Sequence, residues 1–269
     1  MSFFSQFPKI NYDYNRRGSM QNIVDLFRSA RPQGNFIDNP SLYKKYNIQN
    51  GDRPDVVSYK LYGTTQYYWT FFVINDFLHD GIAAWPMSQE DLREYLNQHY
   101  SGQVIETRPT IEFNSDGGVT DYRDSLSGRF TIGETINAST SSAAGTLVRK
   151  DADLSQMVLT NITGGTFKGD PLAQVTEFAT GENSGDFVST YKVWNYEEAP
   201  AYWYKAGDKD RRPVTIDTVV PGGEPRHTCE YVSYRQMIIE ANDNKSQIRV
   251  LSPQYVEQFA EQFEAVING

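Results

Sequence analysis

Between Gly51 and Leu78 the chain reads GDRPDVVSYKLYGTTQYYWTFFVINDFL, and two helices are legible in it. Gly51-Asp52 makes a turn. Pro54 suits a first helical position, because the N–H it lacks has no partner there. Val56, Val57, Tyr59, Lys60, Leu61 and Tyr62 follow, and Gly63 offers a left-handed stop. Thr64 or Thr65 can cap a second helix through Tyr67, Tyr68, Trp69, Phe71, Phe72, Val73, Ile74, Phe77 and Leu78. That helix is apolar nearly all round, so it should be covered on more than one side. Its Trp-Thr-Phe-Phe-Val-Ile segment also suits a buried strand, which periodicity alone does not exclude.

Working outward, Leu42 to Ile48 reads as a short strand. Before it, residues 1–40 read as an arm: a Phe/Tyr-rich extended piece, then a short helix. Ser19 caps that helix, whose apolar face is Met20, Ile23, Phe27 and Ala30; Pro32, Gly34, Asn39 and Pro40 break it. Such a segment makes no core of its own and must lie on another surface, in this chain or in a partner. On the other side, Trp85-Pro86 closes the pair of helices. Ser88 with Asp91 forms an N-terminal cap for a helix carrying Leu92, Tyr95, Leu96 and Tyr100. Far downstream, Ser252-Pro253 starts a last helix. Its stripe of Val256, Phe259, Ala260, Phe263, Val266 and Ile267 faces Glu257, Glu261, Gln262 and Glu264. This is a core-docking helix or, on a sharper reading, a seam for a partner.

The composition changes between Gly128 and Val188. These residues hold no Tyr and no Trp, and only four of the chain's 37 aromatics, yet 14 Ser/Thr and 8 Gly. A pattern recurs inside: Phe130-Thr-Ile-Gly133-Glu134-Thr-Ile136, then Phe167-Lys-Gly169-Asp170-Pro-Leu172. Stretches such as Gly145-Thr-Leu147-Val148 and Met157-Val158-Leu159 are short and apolar. Because apolar residues alternate here and do not vanish, the window reads as a small inserted β module and not as a Ser/Thr-rich loop. Its ends are expected to lie close together, so that its excision leaves the rest folded.

Bulk properties exclude several classes. The chain has 269 residues and a net charge of −9. A lone Cys229 excludes an intrachain disulfide. His79, His99 and His227 are scattered, so no Cys/His cluster has zinc spacing. The longest apolar run, of about six residues, is far short of the ~20 of a membrane helix. The start, MSFFSQFPKINYDYNRR, lacks the basic and apolar regions of a secretory leader. An acidic chain is a poor phosphate binder, so neither nucleic acid nor membrane is expected as a partner.

Catalytic signatures are missing: there is no G-x-S-x-G, phosphate-binding loop, H-E-x-x-H or C-x-x-C. Gly164-Gly165 with Gly169 lacks a strand–turn–helix setting. Asp76, His79 and Asp80 read as a polar cluster at a helix end. His227 and Cys229 lack an orienting carboxylate at a motif spacing. Glu197-Glu198 and Glu106/Glu112 are the acidic pairs available to acid–base chemistry, but an adjacent pair is usually a solvated turn. No enzyme activity, cofactor or metal is expected. Trp203-Tyr204 before the charge-dense Gly207-Asp-Lys-Asp-Arg-Arg212 reads as an exposed loop or as an interface, since rings flanked by Arg make binding hot spots.

Gly51 to Gly63, Tyr67-Tyr-Trp69 and Ile74-Asn75-Asp76 resemble the core of a baseplate wedge subunit of T4-like contractile-tailed phages, the subunit with a LysM-like domain. Further blocks fit in order: Trp85 with Ser88-Gln89-Glu90, Trp203-Tyr204 with Gly207-Asp208-Lys209, Asn242 through Ile248-Arg249-Val250, and the helix from Ser252. The resemblance covers about three quarters of the chain and departs from the family in 128–188. It implies an α+β fold: a LysM-like βααβ core with an N-terminal arm, a C-terminal helix and the inserted all-β module. The expected division is 1–40 arm, 41–100 LysM-like core, 101–127 connecting β segment, 128–188 β module and 189–269 C-terminal α+β segment. It implies a structural virion protein of the tail baseplate, assembled in the host cytoplasm. Such a protein joins neighbouring wedges around the hub and contacts other wedge proteins, including the sheath-initiating subunit. Because LysM-like folds elsewhere bind N-acetylglucosamine polymers, a glycan-binding module is the alternative. The residues expected at partner interfaces are Phe3, Phe4, Phe7, Tyr12, Tyr67, Trp69, Trp85, Trp203, Tyr204, Arg211, Phe259 and Phe263.

Overall fold

The computed structural model describes residues 7–13, 16, 18–25, 39–107, 112–113, 119–120, 125–170, 172–173, 177–217 and 223–268. Its strands are β1 (Lys9–Tyr12), β2 (Gln21–Val24), β3 (Tyr43–Asn47), β4 (Gln103–Thr107), β5 (Glu112–Phe113), β6 (Val119–Thr120), β7 (Thr135–Ala138) and β8 (Ala144–Asp151). They continue with β9 (Gln156–Thr163), β10 (Phe178–Gly181), β11 (Phe187–Asn195), β12 (Pro200–Lys205), β13 (Pro213–Val214), β14 (Cys229–Ser233) and β15 (Gln247–Leu251). The helices are α1 (Pro54–Tyr62), α2 (Trp69–Ile74), α3 (Gln89–His99), α4 (Ser125–Gly128), α5 (Tyr234–Ser246) and α6 (Pro253–Asn268). The mixed helix and strand content is that of an α+β protein. Two compact units result: Met1–Leu92 with Glu240–Gly269, and Arg93–Ile239.

In the first unit, β3 and β15 pair antiparallel from Tyr43↔Leu251 to Gln247↔Asn47. Residues 41–100 therefore hold one strand of a two-stranded ladder, and the other comes from near the far end of the chain. Helix α1 starts and stops as its sequence dictates. Pro54 is its first residue, and Gly63 takes φ 73° while its N–H reaches Tyr59 O at 2.9 Å. The expected second helix is shorter than its apolar run. It ends at Ile74, and a separate 3-10 turn covers Asp76–Leu78. The cause is Asn75, which is extended at φ −109° and pairs with the strand beside it. Its Nδ2 donates to Arg249 O at 2.9 Å and to Phe71 O at 2.8 Å, and its Oδ1 accepts from Arg249 N at 2.9 Å. Asn242 repeats the device on Met87, accepting from its N–H at 2.7 Å and donating to its carbonyl at 3.1 Å.

As its composition requires, α2 is covered on two sides. Trp69 and Ile74 enter one cluster with Val256, Phe259, Phe263 and Ile267 of α6. Phe71 enters another with Val57, Leu78, Trp85, Ile248 and Val250. The apolar stripe of α6 is thus docked in this chain's own core. The arm departs from expectation: Gln21–Val24 is not helical. It pairs antiparallel with β1, placing Ile10 opposite Ile23, and the β-branched Ile23-Val24 suits that pleat. Phe27 and Ala30 lie outside the described residues.

In the second unit, six strands close a barrel in the order β10-β11-β4-β9-β8-β7. Its core is mainly aliphatic: Ile105, Ile136, Leu147, Met157, Leu159, Ala179 and Val188, with Phe130 and Phe167 of the recurring pattern. The window 128–188 supplies β7 to β10 and the first residues of β11. The closing strand β4 precedes it, and most of β11 follows. Cutting out 128–188 would open this closed ladder, which weighs against the expectation that the window can be excised cleanly. Strands β4 and β9 are buried on both faces, since Val104 and Val158 turn outward against Tyr196, Ala199 and Tyr234. A three-stranded sheet, β13-β12-β14, belongs to the same unit.

Two buried carboxylates tie the barrel loops. Glu134 accepts from Thr131 N, Asn183 N, Ser184 N and Ser184 Oγ. Glu177 accepts from Thr140 Oγ1, Ser141 N, Ser141 Oγ and Lys168 N. Burial pushes both carboxyls up, but these hydrogen bonds outweigh it and hold both below the usual carboxylate range.

Candidate interaction surface

The residues singled out around Trp203-Tyr204 stand on β12, in the second unit. Trp203 lies directly opposite Tyr231 of β14, with ring centroids 5.2 Å apart. Tyr231 in turn meets Trp194 of β11 edge to face at 5.4 Å. The row is bounded by two cations. Lys192 Nζ sits 3.5 Å from the Trp194 ring centroid. The Arg226 guanidinium lies 4.7 Å from the Trp203 ring and 5.1 Å from Tyr191. Between them opens a groove of about 460 Å³. A break in register between Thr190 and Lys192 explains how consecutive side chains share this site, because a β-bulge re-aims a residue that alternation would send to the other face.

The two cations differ in their partners. Arg226 forks onto Glu106, with Nη1 on Oε1 and Nη2 on Oε2 at 3.1 Å, and Trp194 Nε1 donates to the same Oε2 at 3.1 Å. Glu106 is 2% exposed, so this pair is a buried, fully bonded anchor. Lys192 makes no hydrogen bond or ion pair among the described residues. Burial first, and the neighbouring Arg226 second, push its ammonium below its ordinary value. Tyr204 and Glu230 also line the groove: Tyr204 donates to the Glu230 carboxylate at 2.7 Å, and the Arg211 guanidinium lies 6.0 Å from the Tyr204 ring.

The first unit carries a different opening, of about 590 Å³, between α2 and the turn at Gly81–Ala84. Tyr68, Phe72, Val73 and Ile82 line it, and Ile82 is 74% exposed. It is apolar where the first groove is cationic.

Of the twelve residues expected at interfaces, Phe3 and Phe4 lie outside the described residues. Phe7 and Tyr67 are half-buried against the Trp69 cluster. Trp69, Trp85, Phe259 and Phe263 are core residues of the first unit, and Trp203 is buried with its edge at the groove. Tyr12, Tyr204 and Arg211 keep part of their side chains in solvent. The residues that sequence reasoning missed are Lys192, Trp194, Arg226, Tyr231 and Glu106 as anchor. Only the return of aromatics after Val188 hinted at them. Among the acidic pairs considered for chemistry, Glu106 is held by Arg226, and Glu197 and Glu198 both pair with Arg235. Among the described residues no group of three His, Cys, Asp or Glu could hold a metal ion, and no helix is long and apolar enough to cross a membrane.

Comparison with known proteins supplies the context. Residues 2–124, just under half of the chain, match the family model described as Base plate wedge protein 53. Over that stretch the chain is similar to phage baseplate wedge proteins. The match places it in the tail baseplate of a phage virion. The matched residues include β3, α1 and α2 with the Asn75 clamp, and they run on through Glu106, the anchor of the Arg226 site. No curated protein matches the chain.

Proposed function

We propose that the chain is a non-enzymatic structural subunit that joins neighbouring baseplate wedges around the hub and contacts the sheath-initiating subunit. The observation that carries this reading is the wedge-family match over residues 2–124. Two features support it. Tyr68, Trp69 and Phe72 line one open groove and Trp194, Trp203, Tyr204 and Tyr231 another, and aromatic residues are enriched at protein interfaces. Among the described residues of the arm, only Phe7 packs against a core cluster. We further read β3-α1-α2-β15 as the LysM-like βααβ core, because two antiparallel strands bracket two helices in chain order. On this reading everything between Ile74 and Gln247 is an excursion within that core.

The glycan-binding alternative draws less support. A sugar groove needs exposed ring faces, and Trp69 is 4% exposed and stacked on Phe259 and Phe263. The test is reconstitution of wedges with the full chain or with residues 1–15 removed. The full chain should co-purify with wedge proteins, and the truncated chain should fold yet assemble poorly. A full chain that stays monomeric beside the other wedge proteins would sink the proposal, and retention on peptidoglycan lost in Tyr67→Ala would favour the alternative.

A further inference from the structure

We infer that the groove at Lys192 is a receptor for a carboxylate, presented by an Asp or Glu side chain on an exposed segment of a neighbouring baseplate protein. The inference rests on the wedge reading for the partner's origin, and on the groove's own chemistry for what that partner offers.

Lys192 and Arg226 bound one row of rings, and Arg226 repels the Lys192 ammonium across it. The groove answers only one of them. Glu106 is fully engaged by the Arg226 fork and by the Trp194 indole N–H, which leaves it little capacity for Lys192. Glu106, and after it Asp170, attracts the Lys192 ammonium through space, but neither forms an ion pair or hydrogen bond with it. The Lys192 ammonium is thus half-buried and leans on the Trp194 face, with no hydrogen-bonded or ion-paired partner among the described residues. A cation in that position has lost water without gaining a hydrogen-bonded anion. An incoming carboxylate restores the balance with a charge-assisted hydrogen bond in a desolvated setting.

The surroundings decide which carboxylate. Trp194, Tyr231 and Tyr204 edge the opening, and Tyr231 is 37% exposed. They offer ring faces to an apolar residue beside the acidic one, the arrangement of a protein hot spot. A single unanswered cation on a chain of net charge −9 fits one carboxylate. It does not fit a run of phosphates, which needs several clustered cations. The β-bulge at Tyr191 and the buried Glu106–Arg226 fork hold the groove in shape before any partner arrives.

Zero-length carbodiimide coupling tests this directly, because it joins an amine to a carboxylate only where the two touch. Purified baseplates containing the full chain are treated, digested and analysed by mass spectrometry, with free amines acetylated in parallel. The expected result is an isopeptide link from Lys192 to an Asp or Glu of another baseplate protein, and at least tenfold protection of Lys192 from acetylation relative to the isolated chain. Lys192→Met should lower incorporation into baseplates about tenfold, while Lys192→Arg should stay within about twofold of wild type, both with unchanged melting of the isolated chain. Three results overturn the inference alone: the chain present in baseplates with Lys192 unlinked and freely acetylated; protection without any carboxylate link, which would point to another ligand such as a phosphate; or Lys192→Met incorporated as wild type. Absence of the chain from purified baseplates overturns the wedge reading, and this inference with it.

Discussion

The two units are held together by opposite means. The first is built of rings: Trp69 on Phe259 and Phe263, and Phe71 on Trp85, with centroids 5.0 to 6.1 Å apart. The second encloses a mainly aliphatic barrel core whose loops are tied by Glu134 and Glu177. The difference teaches that a drop in aromatic content does not mean a drop in order. A closed barrel satisfies its backbone through its own ladder and needs only side chains small enough to fill its interior. The polar residues that made the 128–188 window look loose are the ones that bond its carboxylates.

That contrast can be broken in graded steps. The most severe is deletion of residues 128–188. It strips β4 of β9 and β11 of β10, leaving only their own pairing, so the second unit should lose its protease resistance and cooperative melting. A soluble, protease-resistant deletion product would refute the closed-barrel account. Next, Trp69→Ala should cost the first unit about 3–5 kcal/mol, the range for truncating a buried aromatic ring. A loss under about 1 kcal/mol by denaturant titration would show that the ring cluster adds little.

The carboxylates come third. Replacing Glu177 by Ala leaves buried N–H and O–H donors unanswered and should cost about 2–3 kcal/mol, the scale of charge-assisted hydrogen bonds. The sign with pH follows from their depressed folded values. Stability from Glu134 and Glu177 is complete above the unfolded glutamate value near ~4.3 and is lost as pH falls through the lower folded values. Acid titration followed by amide exchange should open the barrel loops before the ring-built unit. The reverse order would mean that these anchors are not what holds them. Smallest is Gly63→Ala, at about 1 kcal/mol, because the left-handed φ of 73° is unfavourable to a side chain although nothing crowds the added Cβ. A neutral melting point would place the end of α1 under other control.

Much of the first unit could be read directly from the chain. Pro54, Gly63, Ser88 with Asp91, and the stripe of α6 are local signals, and each sits where its chemistry predicts. Ser88 Oγ donates to Asp91 Oδ2 at 2.7 Å, and Asp91 N donates back at 3.1 Å. What was illegible is non-local. Asn75 ends α2 because a strand from residue 249 offers it both backbone groups, and nothing near Asn75 announces that. Strand β2 looked helical because Ser19 is a good cap, yet β1 supplied a ladder. The groove shared this obscurity. Trp203-Tyr204 stood out by composition, whereas Lys192, Arg226 and Glu106 acquire meaning only when β4, β11, β12 and β14 converge.

One consequence of the β3–β15 pairing concerns time. About 200 residues separate Asn47 from its partner Gln247. At ~5–20 residues per second, a ribosome needs about 10–40 s to deliver the second after the first. Once Asn195 has been made the barrel has all of its own strands, while Trp69 and Phe71 still wait without the C-terminal helix and strand that cover them. A transcript cut short between the codons for Asn195 and Gln247 thus yields a chain with every barrel strand and an unfinished ring-built unit.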